Sequence, residues 1–220
     1  PKDVVPYLDI SWDLFTPSGV EFWDKLSFMK TGIIFSDAIS TVSKGYAREI
    51  LTSQFGCGLD GLLRSREKDL YGIINGVDYS VWNPAIDKFI AKKYDKFDLS
   101  GKADCKKDLA SAFGIKYDAK RPIMAMITRL AEQKGIDLVV NIMKDILKEA
   151  DFVILGFGEE KYNNIFKNLA KKYKGKVGVS VKFDNELSHK IEAGADMFLM
   201  PSRYEPCGLN QMYSLKYATV

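Results

Sequence analysis

The sequence predicts an α/β protein built on a parallel sheet, and three features of residues 121–220 support this prediction. Short apolar runs, typical of strands buried on both faces, alternate with longer segments that have the apolar spacing of helices. The connections between these runs are short, and the sequence contains no internal repeat or low-complexity segment. Such alternation joins parallel strands by right-handed crossovers, and ligands of these sheets bind at the carboxyl ends of the strands.

The first part of the chain is rich in aromatic residues and has fewer regular elements. We expect a helix near residues 20–32 and a strand at Ile39–Val42, whose β-branched residues favour extended backbone. Ser43 has the residue type of an N-cap, so a helix over about 44–51 should follow it. A further strand is predicted at Tyr71–Ile74, just before a turn.

A polar, lysine-rich connector with a helix near residues 101–113 separates this part from the regular alternation. Beyond it, four apolar runs predict strands at Ile123–Ile127, Phe152–Leu155, Val177–Val181 and Met197–Met200. Helices are predicted between and after these strands, at about 136–147, 162–169 and 185–194 and from Leu209 onward.

Composition and charge exclude several classes of protein. With 46% hydrophobic and 12% aromatic residues, the chain has ample material for a buried core and is not a disordered protein. Its 32 Lys and Arg against 29 Asp and Glu give a net charge of +3, which argues against a nucleic-acid-binding protein. No apolar run approaches the ~18 residues of a membrane span, so we expect no membrane partner either.

The cysteines and the chain ends carry further expectations. Cys57, Cys105 and Cys207 are odd in number and widely spaced, which argues against a disulfide framework or a zinc site and favours a reducing cytoplasm. We accordingly expect neither a metal nor a cofactor. The chain starts at Pro1 and stops at Val220 without a turn or a polar tail, so we expect an internal fragment of a longer protein.

The first candidate site is the loop between the first predicted strand of the sheet and the next helix. It carries Arg129 and Lys134, two cations five residues apart that can converge on a diphosphate. On the pattern alone, an equally good interpretation is a structural ion pair for Arg129 and a merely solvated Lys134.

The second candidate is Glu205-Pro206-Cys207-Gly208-Leu209, between the last predicted strand and a helix. The prolines of this loop restrain Glu205, so its carboxylate can be held in place for a ligand. Gly208 permits close backbone approach, and the helix start behind it offers free N–H groups to an anion. The alternative is that Glu205 caps this helix. Cys207 is interpreted as a packing or contact residue, because the sequence offers no evident base for a thiol nucleophile.

Three further motifs carry weaker signals. Gly156-Phe157-Gly158 lacks the third glycine of a dinucleotide fingerprint, so we interpret it as a turn. Asn75-Gly76 follows a predicted strand, and a turn and a ligand contact are equally good interpretations. His189 lies inside a predicted helix, where a structural hydrogen bond is the expected role.

Together these segments resemble the bacterial glycogen synthase and plant starch synthase family, and the resemblance covers nearly all 220 residues. The motifs occur in the family's order, and Glu205 through Leu209 is the most specific of them. They are Leu26–Lys30, Ser36–Ser43, Tyr46–Ile50, Gly61–Leu63, Asn75–Asp78, Arg129–Leu130, Gln133–Gly135 and Pro201–Leu209.

The resemblance implies the GT-B architecture, in which two Rossmann-like domains with parallel sheets face each other. Residues 1–85 would end the N-terminal, acceptor-side domain, residues 86–120 would form the connector, and residues 121–220 would form a truncated nucleotide-sugar-binding domain. The implied enzyme is a retaining glucosyltransferase, which moves glucose from ADP-glucose to the non-reducing end of an α-1,4-glucan without a metal. Its implied location is the cytoplasm, or the plastid in a plant.

The resemblance also implies roles for individual residues. Arg129 and Lys134 would hold the diphosphate and stabilise the leaving ADP, and Glu205 would bind the transferred glucose. Phe183 would stack on the adenine, where the family usually has Tyr, and Asn75 would contact the glucose from the other domain. Backbone N–H groups at the helix start would line the sugar and the phosphates, at Cys207, Gly208 and Leu209.

The sequence also departs from the family. The Lys-x-Gly-Gly loop, the His-Asp-Trp region and the Thr-Gly-Gly loop of the family are absent from these residues, so we expect the fragment alone to be inactive. Lys182 stands where the family has a small residue. Two alternatives stay open: another GT-B glycosyltransferase that uses UDP-glucose, and a non-catalytic module that binds a nucleotide or a glucan.

Overall fold

The computed structural model of this protein describes residues 2–220. The chain divides into two compact units, of which the first ends at Asn75 and the second runs from Gly76 to Val220. The domain bounds expected at residues 85 and 120 stay predictions. No helix within the described residues is both long enough and apolar enough to span a lipid bilayer.

The first unit consists of short elements. In chain order they are β1 (Glu21–Phe22), β2 (Lys25–Leu26), α1 (Phe28–Phe35), β3 (Ile39–Thr41), α2 (Lys44–Glu49), α3 (Asp60–Ser65) and β4 (Leu70–Gly72). Short 3₁₀ helices lie at Lys2–Tyr7, Trp12–Leu14 and Glu67–Asp69. An antiparallel hairpin pairs β1 with β2, and a parallel pair joins β3 to β4.

The helix predicted near residues 20–32 is wrong in its first half, where the β1–β2 hairpin lies instead. Trp23 and Asp24 form its two-residue turn in the left-handed region, at φ 55° and 56°. Hairpin turns of this kind usually have the sequence Asn-Gly or Asp-Gly, and neither is present here. The helix begins only at Phe28, behind Ser27, whose side chain accepts a backbone hydrogen bond as the N-cap.

The other predictions for this unit are closer to the structure. Ser43 is the N-cap of α2, because its Oγ accepts a hydrogen bond of 2.9 Å from the Tyr46 N–H. Strand β3 lies where it was expected. Strand β4 ends at Gly72, two residues before the predicted end, although the Ile73 N–H still donates to the Thr41 carbonyl at 2.8 Å.

The second unit contains the predicted strand–helix alternation. Its elements are α4 (Ser100–Ala112), β5 (Ile123–Ile127), α5 (Ile136–Glu149), β6 (Asp151–Leu155), α6 (Glu160–Lys172), β7 (Val177–Ser180), α7 (Asn185–Gly194), β8 (Met197–Phe198) and α8 (Leu209–Lys216). All the helices and strands predicted for this part are present. Strand β8 has two residues rather than four.

The four strands of this unit form one parallel sheet in the order β7-β6-β5-β8. The chain steps outward from β5 through β6 and β7, and it then returns to the other side of β5. A topological switch point therefore lies between β5 and β8, and open α/β sheets bind ligands in the crevice at such a point. The prediction of a parallel α/β sheet is confirmed.

Helices cover both faces of this sheet, which explains why its strands are continuous apolar runs in the sequence. Along β6, Phe152 and Ile154 belong to one core, while Val153 and Leu155 belong to the other. Helices α5 and α6 pack on the first core, and α4 and α7 pack on the second. The sheet is thus a rigid platform for the loops at its carboxyl edge.

Candidate functional site

The loop after β5 forms one side of the crevice at the switch point. It contains a 3₁₀ turn at Glu132–Lys134, and Gly135 ends this turn in the left-handed region at φ 66°. A Cβ built on Gly135 would lie only 2.2 Å from the Pro201 carbonyl oxygen. Glycine is therefore required here, since both the backbone angle and the close contact exclude a side chain.

The loop after β8 forms the other side of the crevice and leads into α8. The N-cap of α8 is Gly208, which makes no side-chain cap, so the first N–H groups of this helix are left for a ligand. Asn210 Nδ2 donates to the Ile127 carbonyl at 2.8 Å. This hydrogen bond ties the start of α8 to the end of β5.

The structure brings Lys134 and Glu205 into direct contact. Lys134 Nζ lies 2.6 Å from Glu205 Oε2, and Ser202 Oγ donates to the same oxygen at 2.9 Å. The two side chains of the ion pair are 20% and 22% exposed, so both are available to a ligand. Two interpretations left open by the sequence are excluded: Lys134 is not merely solvated, and Glu205 does not cap α8.

Arg129 lies on the same loop as Lys134 and is exposed. Its guanidinium donates to Gln133 Oε1 at 3.2 Å. Within residues 2–220, no carboxylate forms an ion pair with it, so the structural ion pair considered above is also excluded for this part of the chain. An exposed guanidinium at the carboxyl edge of a sheet is free to bind an anionic ligand.

A cavity of about 280 Å³ lies between the two loops, and we call it the switch-point cavity. Six of the site residues expected from the sequence line it: Arg129, Lys134, Glu205, Cys207, Gly208 and Leu209. The cavity combines two cations, one carboxylate and the start of a helix. This set of groups can bind an anion next to a hydroxyl-bearing ligand.

A second cavity, of about 490 Å³, shares a wall with the first, and we call it the aromatic cavity. Both cavities are lined by Ile127, Thr128, Arg129 and Asn210. Phe183 lines only the aromatic cavity, and 82% of its surface is exposed, so its ring is available for stacking. The other aromatic residues of this cavity are Trp82, Phe157 and Tyr213.

Lys182 stands where the resemblance implies a small residue, and it lies at the aromatic cavity, paired with a carboxylate. Its Nζ is 2.7 Å from Asp184 Oδ2, and Asp184 also accepts from the Leu187 N–H as the N-cap of α7. The hydrogen bond from Lys182, together with the one from Leu187, lowers the pKa of Asp184 below its usual value. The positive charge of Lys182 is therefore largely balanced locally.

An ion pair that was not predicted from the sequence connects the two sides of the crevice. Arg203 donates to both carboxylate oxygens of Asp137, at 2.8 and 2.7 Å, and also to the Glu132 carbonyl at 2.7 Å. The hydrogen bonds from Arg203 lower the pKa of Asp137 to about 2. The pair joins the loop after β8 to the start of α5, and so it helps to fix the spacing of the switch-point cavity.

The weaker sequence candidates lie outside the switch-point cavity. Cβ atoms on Gly156 and Gly158 would lie 1.8 and 2.2 Å from carbonyl oxygens of the loop after β5, so these glycines allow two backbones to pass closely. His189 is buried, with Nδ1 2.7 Å from Asp87 Oδ2, which is the structural role expected for it. Asn75 ends the first unit, and its contact with the glucose stays a prediction.

Sequence reasoning missed several residues that line or support the two cavities. Ser202 and Asn210 flank a motif that was recognised, so their polar side chains close to Glu205 were a usable signal. Trp82 gave no signal, because its ring partners His189 and Tyr213 lie more than a hundred residues further along the chain. In the described part of the chain, no three His, Cys, Asp or Glu side chains are grouped so as to hold a metal ion.

Two protein families match this chain. The family described as "Starch synthase catalytic domain" matches residues 1–65, and the family described as "Glycosyl transferases group 1" matches residues 110–219, which is half of the chain. A curated relative, the glycogen synthase of Anaeromyxobacter sp. (strain Fw109-5), is 49% identical over 220 residues. That match covers 100% of this chain and 46% of the relative, so the chain spans about half the length of the curated relatives it matches.

Solved structures with the same fold are also found. The catalytic domain of Starch Synthase IV from Arabidopsis thaliana, bound to ADP and acarbose, has a TM-score of 0.89 and 35% identity, covering 94% of this chain and 44% of that one. Sucrose-phosphate synthase from Thermosynechococcus elongatus has a TM-score of 0.57 and 19% identity, covering 87% of this chain and 41% of that one, and it shows likeness of fold alone. These neighbours confirm the predicted GT-B fold class.

Proposed function

The chain belongs to the group 1 glycosyl transferases, and from this premise we propose that it carries the donor side of a glycogen or starch synthase active site. The protein that contains it would transfer glucose from ADP-glucose to the non-reducing end of an α-1,4-glucan, with retention of the anomeric configuration. One observation carries the proposal: Arg129, Lys134 and Glu205 line one cavity at the switch point of the sheet. Likeness to a glycogen synthase and to an ADP-bound starch synthase supports the choice of donor and acceptor.

Arg129 and Lys134 would bind the diphosphate of the donor. Arg129 supplies a planar fork of N–H donors, and Lys134 supplies a compact point charge. Negative charge develops on the leaving ADP as the bond to glucose breaks. Two cations held at the edge of a rigid sheet would stabilise that charge more strongly in the transition state than in the ground state, which lowers the barrier.

Glu205 would bind hydroxyl groups of the transferred glucose. A donor phosphate in the switch-point cavity would compete with Glu205 for Lys134, whose Nζ now lies 2.6 Å from the carboxylate. Ser202 would keep the carboxylate in place when Lys134 turns to the phosphate, because its hydroxyl donates to Glu205 Oε2 independently. The backbone N–H groups of Cys207, Gly208 and Leu209 would then line the sugar and the phosphates.

The aromatic cavity would hold the nucleoside, because it shares a wall with the switch-point cavity. The adenine would stack on Phe183, and Asn75 would contact the glucose. The remaining donor and acceptor contacts would come from the rest of a longer protein, so the 220-residue chain by itself would be inactive. We propose the cytoplasm as the location, or the plastid if the source is a plant.

Donor competition tests this proposal. The full-length protein is given glycogen with equal concentrations of ADP-glucose and UDP-glucose, only one of which is radiolabelled, and the label in the polymer is counted. We expect ADP-glucose to be the preferred donor, and NMR of the product should show a new α-1,4 linkage. Preferred transfer from UDP-glucose would favour the alternative GT-B enzyme. Binding of ADP without any transfer would favour a non-catalytic module.

A further inference from the structure

Trp82 is the centre of a stack of three rings beside the aromatic cavity. Its ring centroid lies 3.8 Å from that of His189 and 4.0 Å from that of Tyr213, and both neighbours are within 6° of parallel to it. Two rings at these distances cannot share one face of the indole, so they lie on opposite faces. We call His189, Trp82 and Tyr213 the ring stack.

Buried hydrogen bonds hold the ring stack at its inner end. Asp87 Oδ2 lies 2.7 Å from His189 Nδ1 and accepts a hydrogen bond of 2.5 Å from the Tyr217 hydroxyl. Burial opposes the charge on Asp87, but the hydrogen bonds from His189 and Tyr217 outweigh it and lower the pKa of this carboxyl. Asp87 is therefore a charged anchor, and the plane of the His189 ring is fixed.

Trp82 and Asp87 belong to residues 76–94, which we call the leading segment of the second unit. No helix or strand forms within it. Beyond its own turns, the segment contacts α7 and α8 through the ring stack, through Asp87 and through Tyr94, whose hydroxyl donates to the Tyr217 carbonyl at 2.8 Å. Helix α4 also holds it at Lys92, whose carbonyl accepts a hydrogen bond of 3.2 Å from Cys105 Sγ. Its position therefore depends on contacts with α4, α7 and α8.

The outer end of the ring stack faces the aromatic cavity. Trp82 and Tyr213 line this cavity, whereas His189 lies behind them and is completely buried. Phe183 lines the same cavity with a ring that is 82% exposed. The cavity is thus lined by the rings of Phe183, Trp82 and Tyr213, and aromatic surface of this kind suits a flat nucleobase.

We propose that Trp82 is a positioning residue for the donor nucleoside: through the ring stack it forms the inner wall of the aromatic cavity, so that nucleoside binding clamps the leading segment against α7 and α8. This inference rests on the proposed function, which makes a nucleoside the occupant of the cavity. Coupling of this kind is reciprocal. Loosening the stack weakens nucleoside binding, and nucleoside binding stabilises the leading segment.

Calorimetry on the full-length protein tests the first half of this coupling. ADP and inorganic diphosphate are titrated into the wild type, Trp82→Phe and Trp82→Leu. Because Trp82 supports Tyr213 at the wall of the aromatic cavity and contacting residues are energetically coupled, we expect Trp82→Leu to raise the Kd of ADP roughly 10-fold, and Trp82→Phe, which keeps a flat ring, to change it by less than about 3-fold. The Kd of inorganic diphosphate should stay unchanged in both. Trp12→Leu, in the first unit, is the matched control and should leave both constants unchanged.

Hydrogen exchange tests the second half. ADP should slow amide exchange over residues 76–94 in the wild type and in Trp82→Phe, and inorganic diphosphate should not. If Trp82→Leu fails to fold, Tyr213→Leu, which removes the outer ring of the stack, replaces it in the titrations. An unchanged Kd of ADP in the leucine variant, or no protection of residues 76–94 by ADP, would overturn the inference. A wild type that binds no ADP at all would overturn the proposed function as well.

Discussion

At the scale of single residues, the Lys134–Glu205 ion pair matters for orientation more than for stability. The two side chains are each about one-fifth exposed, and ion pairs open to water contribute at most about 1 kcal/mol. A charged ligand that enters the cavity can, in contrast, replace this ion pair by binding one of its two side chains. Arg129 forms no ion pair with a carboxylate within the described residues, so its charge is available to such a ligand.

Removing either cation of the switch-point cavity should therefore affect turnover rather than folding. We expect Arg129→Ala and Lys134→Ala to lower the kcat for transfer from ADP-glucose by about 100-fold or more each, the range found when one transition-state donor is removed. The melting temperature should change little. Lys174→Ala, a change at an exposed lysine away from both cavities, is the control. A near wild-type kcat in either cavity variant would refute the diphosphate role.

Glu192 is a second residue whose chemistry depends on its surroundings. Its side chain is completely buried on α7. The Oε2 atom accepts a hydrogen bond of 2.7 Å from Ser214 Oγ, whereas Oε1 has no hydrogen-bond partner in the described part of the chain. Burial raises its pKa to about 8, against the opposing effects of Ser214 and of the charge on Lys102. The carboxyl is thus protonated in the folded protein at neutral pH.

This raised pKa predicts a pH dependence of stability. Between the ordinary value of 4.5 and about 8, the folded protein keeps a proton that the unfolded chain has lost, so stability falls as pH rises. The slope for one proton is at most ~1.4 kcal/mol per pH unit. Glutamine does not titrate, so the Glu192→Gln variant does not lose this stability as pH rises. Its melting temperature relative to the wild type should therefore increase from pH 5 to pH 8. The same change at exposed Glu149 is the control, and a pH-independent difference for Glu192→Gln would contradict the assignment.

At the scale of elements, the two loops at the carboxyl edge of the sheet make the site, and their fit depends on Gly135. The residue combines φ 66° with the carbonyl oxygen of Pro201, which a Cβ would approach to 2.2 Å. Gly114 has a similar φ of 63° but nothing within 4 Å of a Cβ. Comparing substitutions at the two glycines therefore distinguishes the cost of backbone strain from the cost of a steric clash.

Alanine substitutions at these glycines should have different effects. Gly114→Ala adds only left-handed strain, about 1–2 kcal/mol, and should lower the melting temperature without changing kcat. Gly135→Ala adds the clash with Pro201, so it should lower the melting temperature further and displace Lys134, with a drop in kcat. Differential scanning fluorimetry and a transfer assay measure both effects. Equal effects of the two substitutions would show that the contact between the loops is not needed.

The same elements show what a sequence can reveal. Strands β5 to β7 were predictable because burial on both faces leaves an apolar run, and the α5 stripe was equally clear. The β1–β2 hairpin was missed because its turn uses Trp23 and Asp24 rather than glycine. For the site, residue types identified Arg129 and Glu205, but the direct Lys134–Glu205 contact depends on the order of strands in the sheet. The ring stack could not be predicted, because the sequence around Trp82 does not indicate which residues its ring contacts.

At the scale of the molecule, the chain holds a small first unit and a second unit with a four-stranded parallel sheet. It spans 46% of a glycogen synthase that is 49% identical to it. The proposed donor groups Arg129, Lys134, Glu205 and Phe183 all lie in the second unit, around two cavities that share a wall. The Lys-x-Gly-Gly, His-Asp-Trp and Thr-Gly-Gly motifs expected from the resemblance are not among these residues, so catalysis would require the rest of a longer protein.

The most direct test of the central claim is the rate of glucose incorporation from ADP-glucose into glycogen, measured side by side for the full-length protein and for the isolated 220-residue chain. We predict that the full-length protein extends the glucan and that the isolated chain transfers no detectable glucose at the same concentration. No incorporation by the full-length protein would contradict the proposed synthase activity. Incorporation by the isolated chain would contradict the claim that it carries only part of the active site.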